Sequence, residues 1–446
     1  MRKRMLCVGM SIVMEALLSA CGGGQTASEQ TSKETDYRNE TEKETEAVRE
    51  EGKKTVVEFW TTNSSEFKEE IENFEKENPD IDVVTAYQGK YDEMFQKLQS
   101  AAVSKKLPQV AQMGERFGVA TLDEAGLLVS LDDLLSKETI DDVLPAFWGH
   151  YTYKGNIIAA PFQCSTPIMY YNKTLFEEKN IPVPKTTEEL VEAAKMATSD
   201  ENGDGVNEVW GFTMDDAIST YFKSMVLDKG GQFYDENGRA HVNTKEAEET
   251  LQWMKDLVFK YNVMAPNQYL TAYEDFSSGK VAILFASGAS LGNIKGQVGE
   301  KFVVGTALLP TTNGNSNVMV GGNCLGIFHS TPEQEAASAK LVEYLMSTKV
   351  TANFSMQTGY IPVRQSALEL DEYKKFLEEN PDFKVSIDQM KYIFGLPVNP
   401  VDTTFWEGIV DCVEAVSDNE KTEAAATLNS LQANLDEFAS EQENGN

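Results

Sequence analysis

The run Thr55-Val56-Val57-Glu58-Phe59-Trp60, the segment spanning residues 66–78, and Ile81-Asp82-Val83-Val84-Thr85-Ala86-Tyr87 together decide the fold class. The first and last are rich in β-branched and aromatic side chains, which suit a pleated, half-buried surface, so both read as strands. Between them Phe67, Ile71 and Phe74 recur at helical spacing, and Pro79 ends the pattern, so this piece reads as an amphipathic helix. A second helix over residues 91–104 puts Met94, Phe95, Leu98 and Ala101 on one face, and a third apolar stretch follows at 110–113. Strands alternating with helices predict an α/β domain with a largely parallel sheet. Ligands of such sheets sit beyond the carboxyl ends of the strands, which directs attention to Trp60-Thr61-Thr62-Asn63 and Gly114-Glu115-Arg116.

The texture continues downstream. Helices are predicted near 187–198, 217–229, 245–261 and 269–278, and a strand at Val281-Ala282-Ile283-Leu284-Phe285-Ala286 runs into Ser287-Gly288. A Thr331-Pro332-Glu333 start signal opens a helix to about residue 348, and after Gly359-Tyr360-Ile361-Pro362 the chain is mostly helical. No internal repeat and no glycine-rich phosphate loop occurs.

The 446 residues include 71 acidic and 39 basic side chains, a net charge of −32, with 41% hydrophobic residues. That is enough apolar material for two or three domains or one bilobal body. The charge excludes tight binding to a nucleic-acid backbone, where affinity comes from neutralising phosphates, and disfavours anionic membrane surfaces. Five cysteines (7, 21, 164, 324, 412) lack paired zinc-site spacings, and three histidines (150, 241, 329) lie far apart. A crosslink between Cys164 and Cys324 is one reading, and free buried thiols for these and Cys412 are the favoured one.

Arg2, Lys3 and Arg4 precede an apolar run to Leu18 that is too short to span a bilayer. Leu18-Ser19-Ala20-Cys21-Gly22 then resembles a bacterial lipoprotein signal, with Glu15 as a departure inside the apolar run. The resemblance implies cleavage of residues 1–20 and lipidation of Cys21, where two acyl chains anchor a protein stably. Loss of Arg2, Lys3, Arg4 and Glu15 removes a net +2 and leaves −34. Residues 22–54 hold almost no large apolar side chain and read as a disordered acidic tether with a reach of roughly 30 Å.

The run Pro161-Phe162-Gln163-Cys164-Ser165-Thr166-Pro167-Ile168-Met169-Tyr170-Tyr171-Asn172-Lys173, then Phe176, is similar to the crossover segment of extracellular solute-binding proteins of ABC importers. It most resembles the carbohydrate and glycerol-3-phosphate-binding branch. Gly279-Lys280-Val281-Ala282, Ala286-Ser287-Gly288, Val320-Gly321-Gly322 and Thr358-Gly359-Tyr360-Ile361-Pro362-Val363 match in the same order, and the resemblance covers residues 55–435. It implies an α/β, two-lobed, periplasmic-binding-protein-like fold of type II, with a hinge and an interlobe cleft. The expected division is 55–163 plus 283–328 for one lobe and 164–282 plus 329–446 for the other. The ligand contacts it implies are Tyr91, Glu115, Ser165, Ser287, Gly322 and Tyr360. Trp60, at a strand end, and Trp406 join them as aromatic faces suited to the C–H face of a sugar.

The branch carries a late arginine that pairs with phosphate. Its matching position here falls around Trp406-Glu407. The expectation is therefore a lipid-anchored binder, on the outer face of a bacterial cell membrane, that captures a mono- or oligosaccharide. Glycerol-3-phosphate or its diesters are the nearest alternative. Its partners are permease subunits with a separate ATPase; the protein is expected to be a monomer that meets the membrane through its lipid alone, with no nucleic-acid partner and no cofactor. Two further patterns stand beside this reading. Asp200, Asn202 and Asp204 with Gly205 follow calcium-loop spacing, but position 12 is Gly211, leaving Glu208 as the substitute ligand. Gly288-Ala289-Ser290-Leu291-Gly292 satisfies a nucleophile-elbow pattern, so a serine hydrolase is the alternative from another class, with His329 the one histidine downstream.

Overall fold

The computed structural model describes residues 54–62, 67–114, 118–312 and 317–445. The signal segment, Cys21, and the tether up to residue 53 lie outside the described residues, as do Asn63, Glu115 and Arg116. Residues from Lys54 onward form one unit. Its strands run β1 (Thr55–Thr61), β2 (Ile81–Tyr87), β3 (Val110–Gly114), β4 (Ala160–Ser165), β5 (Pro167–Asn172), β6 (Trp210–Met214), β7 (Val281–Ser287), β8 (Val304–Ala307) and β9 (Gly321–Ile327).

β1 buries Val57, Phe59 and Thr61 and leaves the alternate residues half-covered, as a period of two requires. It pairs in parallel with β2 over its whole length, from Thr55 opposite Ile81 to Thr61 opposite Tyr87. The intervening helix, Lys68–Glu77, buries Ile71 and Phe74 and closes where the Asn78 side chain donates to the Phe74 carbonyl at 3.0 Å. The helix Tyr91–Ser104 opens with the Lys90 amide donating to the Glu93 carboxylate at 2.9 Å, which holds Tyr91 at its first turn.

Two sheets form. The first has the order β2-β1-β3-β9-β4 and the second β8-β5-β7-β6. The predicted parallel character holds for β1, β2 and β3, but β9 enters antiparallel to both β3 and β4. In the second sheet β5 is antiparallel to β8 and β7, and β6 is parallel to β7. The mixture arises because the chain crosses between sheets, at Thr166 between β4 and β5 and again between β8 and β9.

The lobe boundaries differ from the expected ones. β7 belongs to the second sheet, where Phe285 packs edge-on against Phe212 of β6 with centroids 4.8 Å apart. The helix Thr348–Thr358 belongs to the first lobe, because Phe354 packs on Phe67 and Phe162 at 5.4 and 5.5 Å. Both errors have one cause: the partners are more than 70 residues away along the chain, and no local pattern records such a pairing. The second lobe is completed by helices Lys245–Phe259, Asp402–Asp418 and Ala424–Gly445, whose Leu251, Met254, Phe405, Ile409 and Leu428 share one buried cluster with Phe212 and Met214.

Cys164, Cys324 and Cys412 are buried, and none of them is in a disulfide. Burial pushes the Cys412 thiol up to about 11, against weaker relief from a Thr427 hydrogen bond. Among the described residues no helix is long and apolar enough to cross a membrane.

Candidate functional site

Tyr91, Ser165, Ser287, Gly322 and Tyr360, spread over 270 positions of the chain, line one cavity of about 180 Å³. Each arrives by a different element. Ser165 ends β4, Gly322 sits at the start of β9 opposite Cys164, and Tyr360 follows the helix Thr348–Thr358. The Ile361 amide donates to the Cys164 carbonyl at 2.7 Å, which fixes Tyr360 beside the end of β4. From the second lobe, Ser287 ends β7, and the Tyr170 hydroxyl donates to the Ser287 carbonyl at 2.7 Å. Both lobes therefore contribute wall, and the cavity lies at the carboxyl ends of β4, β6 and β7.

Gly322 has no substitute here. Its φ of +117° is a conformation that side-chain-bearing residues rarely adopt, and a Cβ would lie 2.1 Å from the Gln163 carbonyl oxygen. The adjacent register shift between Gly322 and Cys324 turns the start of β9 toward the cavity.

Behind Tyr91 lies a relay of buried amides. Asn323 Nδ2 donates to the Tyr91 hydroxyl at 2.8 Å and to Gln163 Oε1 at 3.0 Å, and Gln112 Nε2 donates to the same Gln163 oxygen at 2.9 Å. Gln112 Oε1 in turn accepts from the Thr61 and Thr62 hydroxyls. Gln112, Gln163 and Asn323 are at most 2% exposed, so one satisfied network ties the ends of β1, β3, β4 and β9 to the orientation of the Tyr91 ring.

The second-lobe wall holds residues that the sequence reading does not name. Asp215 and Asp216 follow β6, and Tyr221 and Tyr273 complete this side. The Asp215 carboxylate accepts from the Tyr221 hydroxyl at 2.8 Å, the Tyr273 hydroxyl at 2.7 Å and the Ala217 amide at 3.0 Å. Burial holds its pKa above the ordinary carboxylate range, against those hydrogen bonds. No lysine or arginine is among the described residues of this wall. A strand end followed by Asp-Asp and a helix was the available signal, but Trp-Gly-Phe-Thr-Met is short and contains a glycine, so it does not announce a strand.

The other predicted residues fall elsewhere. Glu115 is outside the described residues, one position beyond the end of β3. Trp60 is not on this wall: its indole N–H donates to Glu58 at 2.7 Å, and its ring packs against the first-lobe cluster that includes Met94 and Leu98. Trp406 lines a neighbouring cavity of about 40 Å³ that shares Thr220 with the first. A larger cavity of about 990 Å³, between the hairpin at 152–157 and the turn at 232–240, holds none of the predicted residues.

Ser290 is not poised as a nucleophile. Its Oγ lies 3.0 Å from the Tyr273 hydroxyl, whose own proton goes to Asp215, so Ser290 is the donor. His329 Nδ1 instead meets Glu335 at 3.2 Å. In the Asp200 loop, oxygens of Asp200, Asp204 and Glu208 lie within 4.8 Å of one another on the surface. These carboxylates accept from backbone amides of Gly203, Gly205, Val206 and Glu201, and Asn202 accepts from the Asp204 amide, which is the bonding of a closed turn.

Residues 69–385 match the sequence model of the bacterial extracellular solute-binding proteins. The chain belongs to that family. Among curated relatives of this solute-binding protein is the sn-glycerol-3-phosphate-binding periplasmic protein UgpB of Yersinia pseudotuberculosis, 25% identical over 403 residues, covering 84% of this chain and 91% of that one. The Escherichia coli UgpB is 24% identical over 355 residues, covering 75% and 80%. Among solved structures, Mycobacterium tuberculosis UgpB in complex with glycerophosphocholine superposes with a TM-score of 0.76 at 23% identity, covering 87% of this chain and 99% of that one. The maltose/maltodextrin-binding domain of Bdellovibrio bacteriovorus bound to maltotriose gives 0.72 at 24% identity, covering 86% and 100%. These two structures establish the two-lobed fold for this chain.

Proposed function

We propose that this solute-binding protein captures a neutral carbohydrate in the 180 Å³ cavity and delivers it to an ABC importer. The observation that carries the reading is the wall itself: tyrosines and small hydroxyl residues from both lobes, with two aspartates and no lysine or arginine among the described residues. Carboxylates accept from sugar hydroxyls, tyrosine rings cover C–H faces, and no covalent chemistry is called for. A phosphate would meet Asp215 and Asp216 without a facing cation, which costs binding energy.

Ligand in the cleft contacts both lobes only when they approach, so binding favours the closed form, and that form engages permease subunits powered by a separate ATPase. The names of the curated relatives favour glycerol-3-phosphate as the second reading. A lipid on Cys21, the acidic tether and an outer-face location complete the proposal. Palmitate labelling that is lost in Cys21→Ser tests the anchor.

A thermal-shift panel of neutral mono- and oligosaccharides, glycerol-3-phosphate and its diesters tests the ligand class, since a ligand that binds only the folded state raises its melting temperature. A shift with a neutral sugar supports the proposal, and silence across all sugars overturns it. An ester-hydrolysis assay of wild type and Ser290→Ala is expected to show no serine-dependent turnover.

A further inference from the structure

Beside the proposed ligand cavity, and sharing Thr220 with it, lies the neck of about 40 Å³. The neck in turn shares Leu396, Pro397 and Val398 with the chamber of about 990 Å³. Three cavities thus follow one another along the interlobe cleft. Two of the neck's polar groups come from opposite lobes: His150 closes the helix Pro145–Gly149, and Lys223 lies on the helix Ile218–Asp228.

The polar groups of the neck are costly where they stand. Lys223 is 8% exposed, and its ammonium sits 4.2 Å from the centroid of the Phe405 ring. His150 is 5% exposed, and its Nε2 has no hydrogen-bond partner. Asp402 accepts from the Tyr234 hydroxyl at 2.6 Å and the Asn399 amide at 2.7 Å, and Trp406 supplies an aromatic face. A buried orphan ring nitrogen at a cavity wall needs a partner when the site is filled. A cation, a carboxylate and an imidazole nitrogen around a small space match hydroxyl groups, each of which donates once and accepts twice. The neck is too small for a sugar ring, but it takes a hydroxyl or hydroxymethyl group of one that bridges the cavities on either side.

We propose that the neck formed by His150, Lys223, Asp402 and Trp406 is a second recognition point for a further sugar unit, making the protein selective for saccharides of two or more units. This rests on the carbohydrate reading of the first cavity. It predicts that the ligand runs from the Tyr91–Ser287 cavity through the neck toward the chamber beside Tyr153 and Tyr234.

Isothermal titration of the full chain with matched mono-, di- and trisaccharides of glucose, galactose, mannose and xylose tests it, on wild type, Lys223→Met and His150→Phe. The expected result is that wild type binds one disaccharide or trisaccharide at least tenfold more tightly than its monosaccharide. Each variant should lose most of that difference while changing monosaccharide affinity less than twofold. His150→Phe keeps a ring in place without disturbing the Lys223–Asp402 charge balance, and melting of each unliganded variant reports folding. Equal affinity for mono- and disaccharide in wild type overturns the proposal, as does a parallel loss for both in folded variants. Preference for glycerol-3-phosphate that depends on Lys223 also overturns it. Binding of no saccharide of any length is a different failure, that of the carbohydrate reading itself.

Discussion

The Tyr273 hydroxyl donates to the Asp215 carboxylate at 2.7 Å, and the Tyr221 hydroxyl reaches the same carboxylate at 2.8 Å. Two rings that wall the cavity are thereby held by one buried acid at the end of β6. Asp215→Ala strands both hydroxyls and, on the carbohydrate proposal, removes a ligand acceptor. It should destabilise the protein by roughly 2 kcal/mol in urea unfolding and lower sugar affinity at least tenfold by calorimetry. Tyr273→Phe, which keeps the ring, should cost about 1 kcal/mol.

Asp215 also sets a pH dependence of stability. Burial raises its folded pKa above the ordinary aspartate value of 3.8, so the folded state holds the proton to higher pH than the unfolded one. Its contribution is present in full below 3.8 and is lost as pH rises through the raised folded value. Asp215→Asn should flatten that part of the stability curve.

His150 gives the opposite slope. Burial, and then the charge of Lys223, push its pKa from 6.5 down to about 4. Between those values the unfolded chain takes up a proton that the folded chain refuses, so stability present above pH 6.5 is lost as pH falls toward 4. The charged groups bordering it in the neck are Lys223 and Asp402. His150→Phe should remove this acid-side loss, which is read from urea midpoints between pH 4 and 7.

Gly322→Ala should strip ligand binding and lower the melting temperature. The Cβ would lie 2.1 Å from the Gln163 carbonyl oxygen at a φ of +117°, and strain of this kind costs on the order of 2–3 kcal/mol. Relief requires β9 to shift from β4, which moves Asn323 and the Tyr91 hydroxyl it supports.

Arg364 is predicted to matter for stability and not for ligand contact. Its buried guanidinium donates to the Met346 carbonyl at 3.0 Å, the Thr139 hydroxyl at 2.7 Å and Asp142 at 3.4 Å. Arg364→Ala should cost roughly 3 kcal/mol, and Arg364→Lys should not restore it, because an ammonium cannot span three acceptors from a fixed fork.

Local elements were legible from the chain. The strands at 55–61 and 81–87 and the helix Tyr91–Ser104 occupy nearly the stretches that β-branched runs and helical spacing indicate. Of the cavity residues, Ser165, Ser287, Gly322 and Tyr360 came from ordered motifs and Tyr91 from the family resemblance, and the fold brings them together. Lobe membership of Val281–Ser287 was not legible, because its partner strand Pro167–Asn172 lies more than 100 residues upstream. Lys223 escaped for a different reason. All positions of the helix Ile218–Asp228 except Met225 are buried, so periodicity gives no face on which a lysine stands out. Asp215 gains its meaning only when Tyr273, 58 residues later, is packed above it.

The central claim is tested most directly by the melting temperature of the full chain with millimolar neutral saccharides and, separately, with glycerol-3-phosphate. Saturation at a hundredfold excess over Kd adds about 2.7 kcal/mol to the folded state, a clear upward shift. That shift is expected with at least one neutral saccharide, together with its loss in Asp215→Ala and no shift with glycerol-3-phosphate. A shift with glycerol-3-phosphate alone, or with no saccharide at all, would contradict the claim.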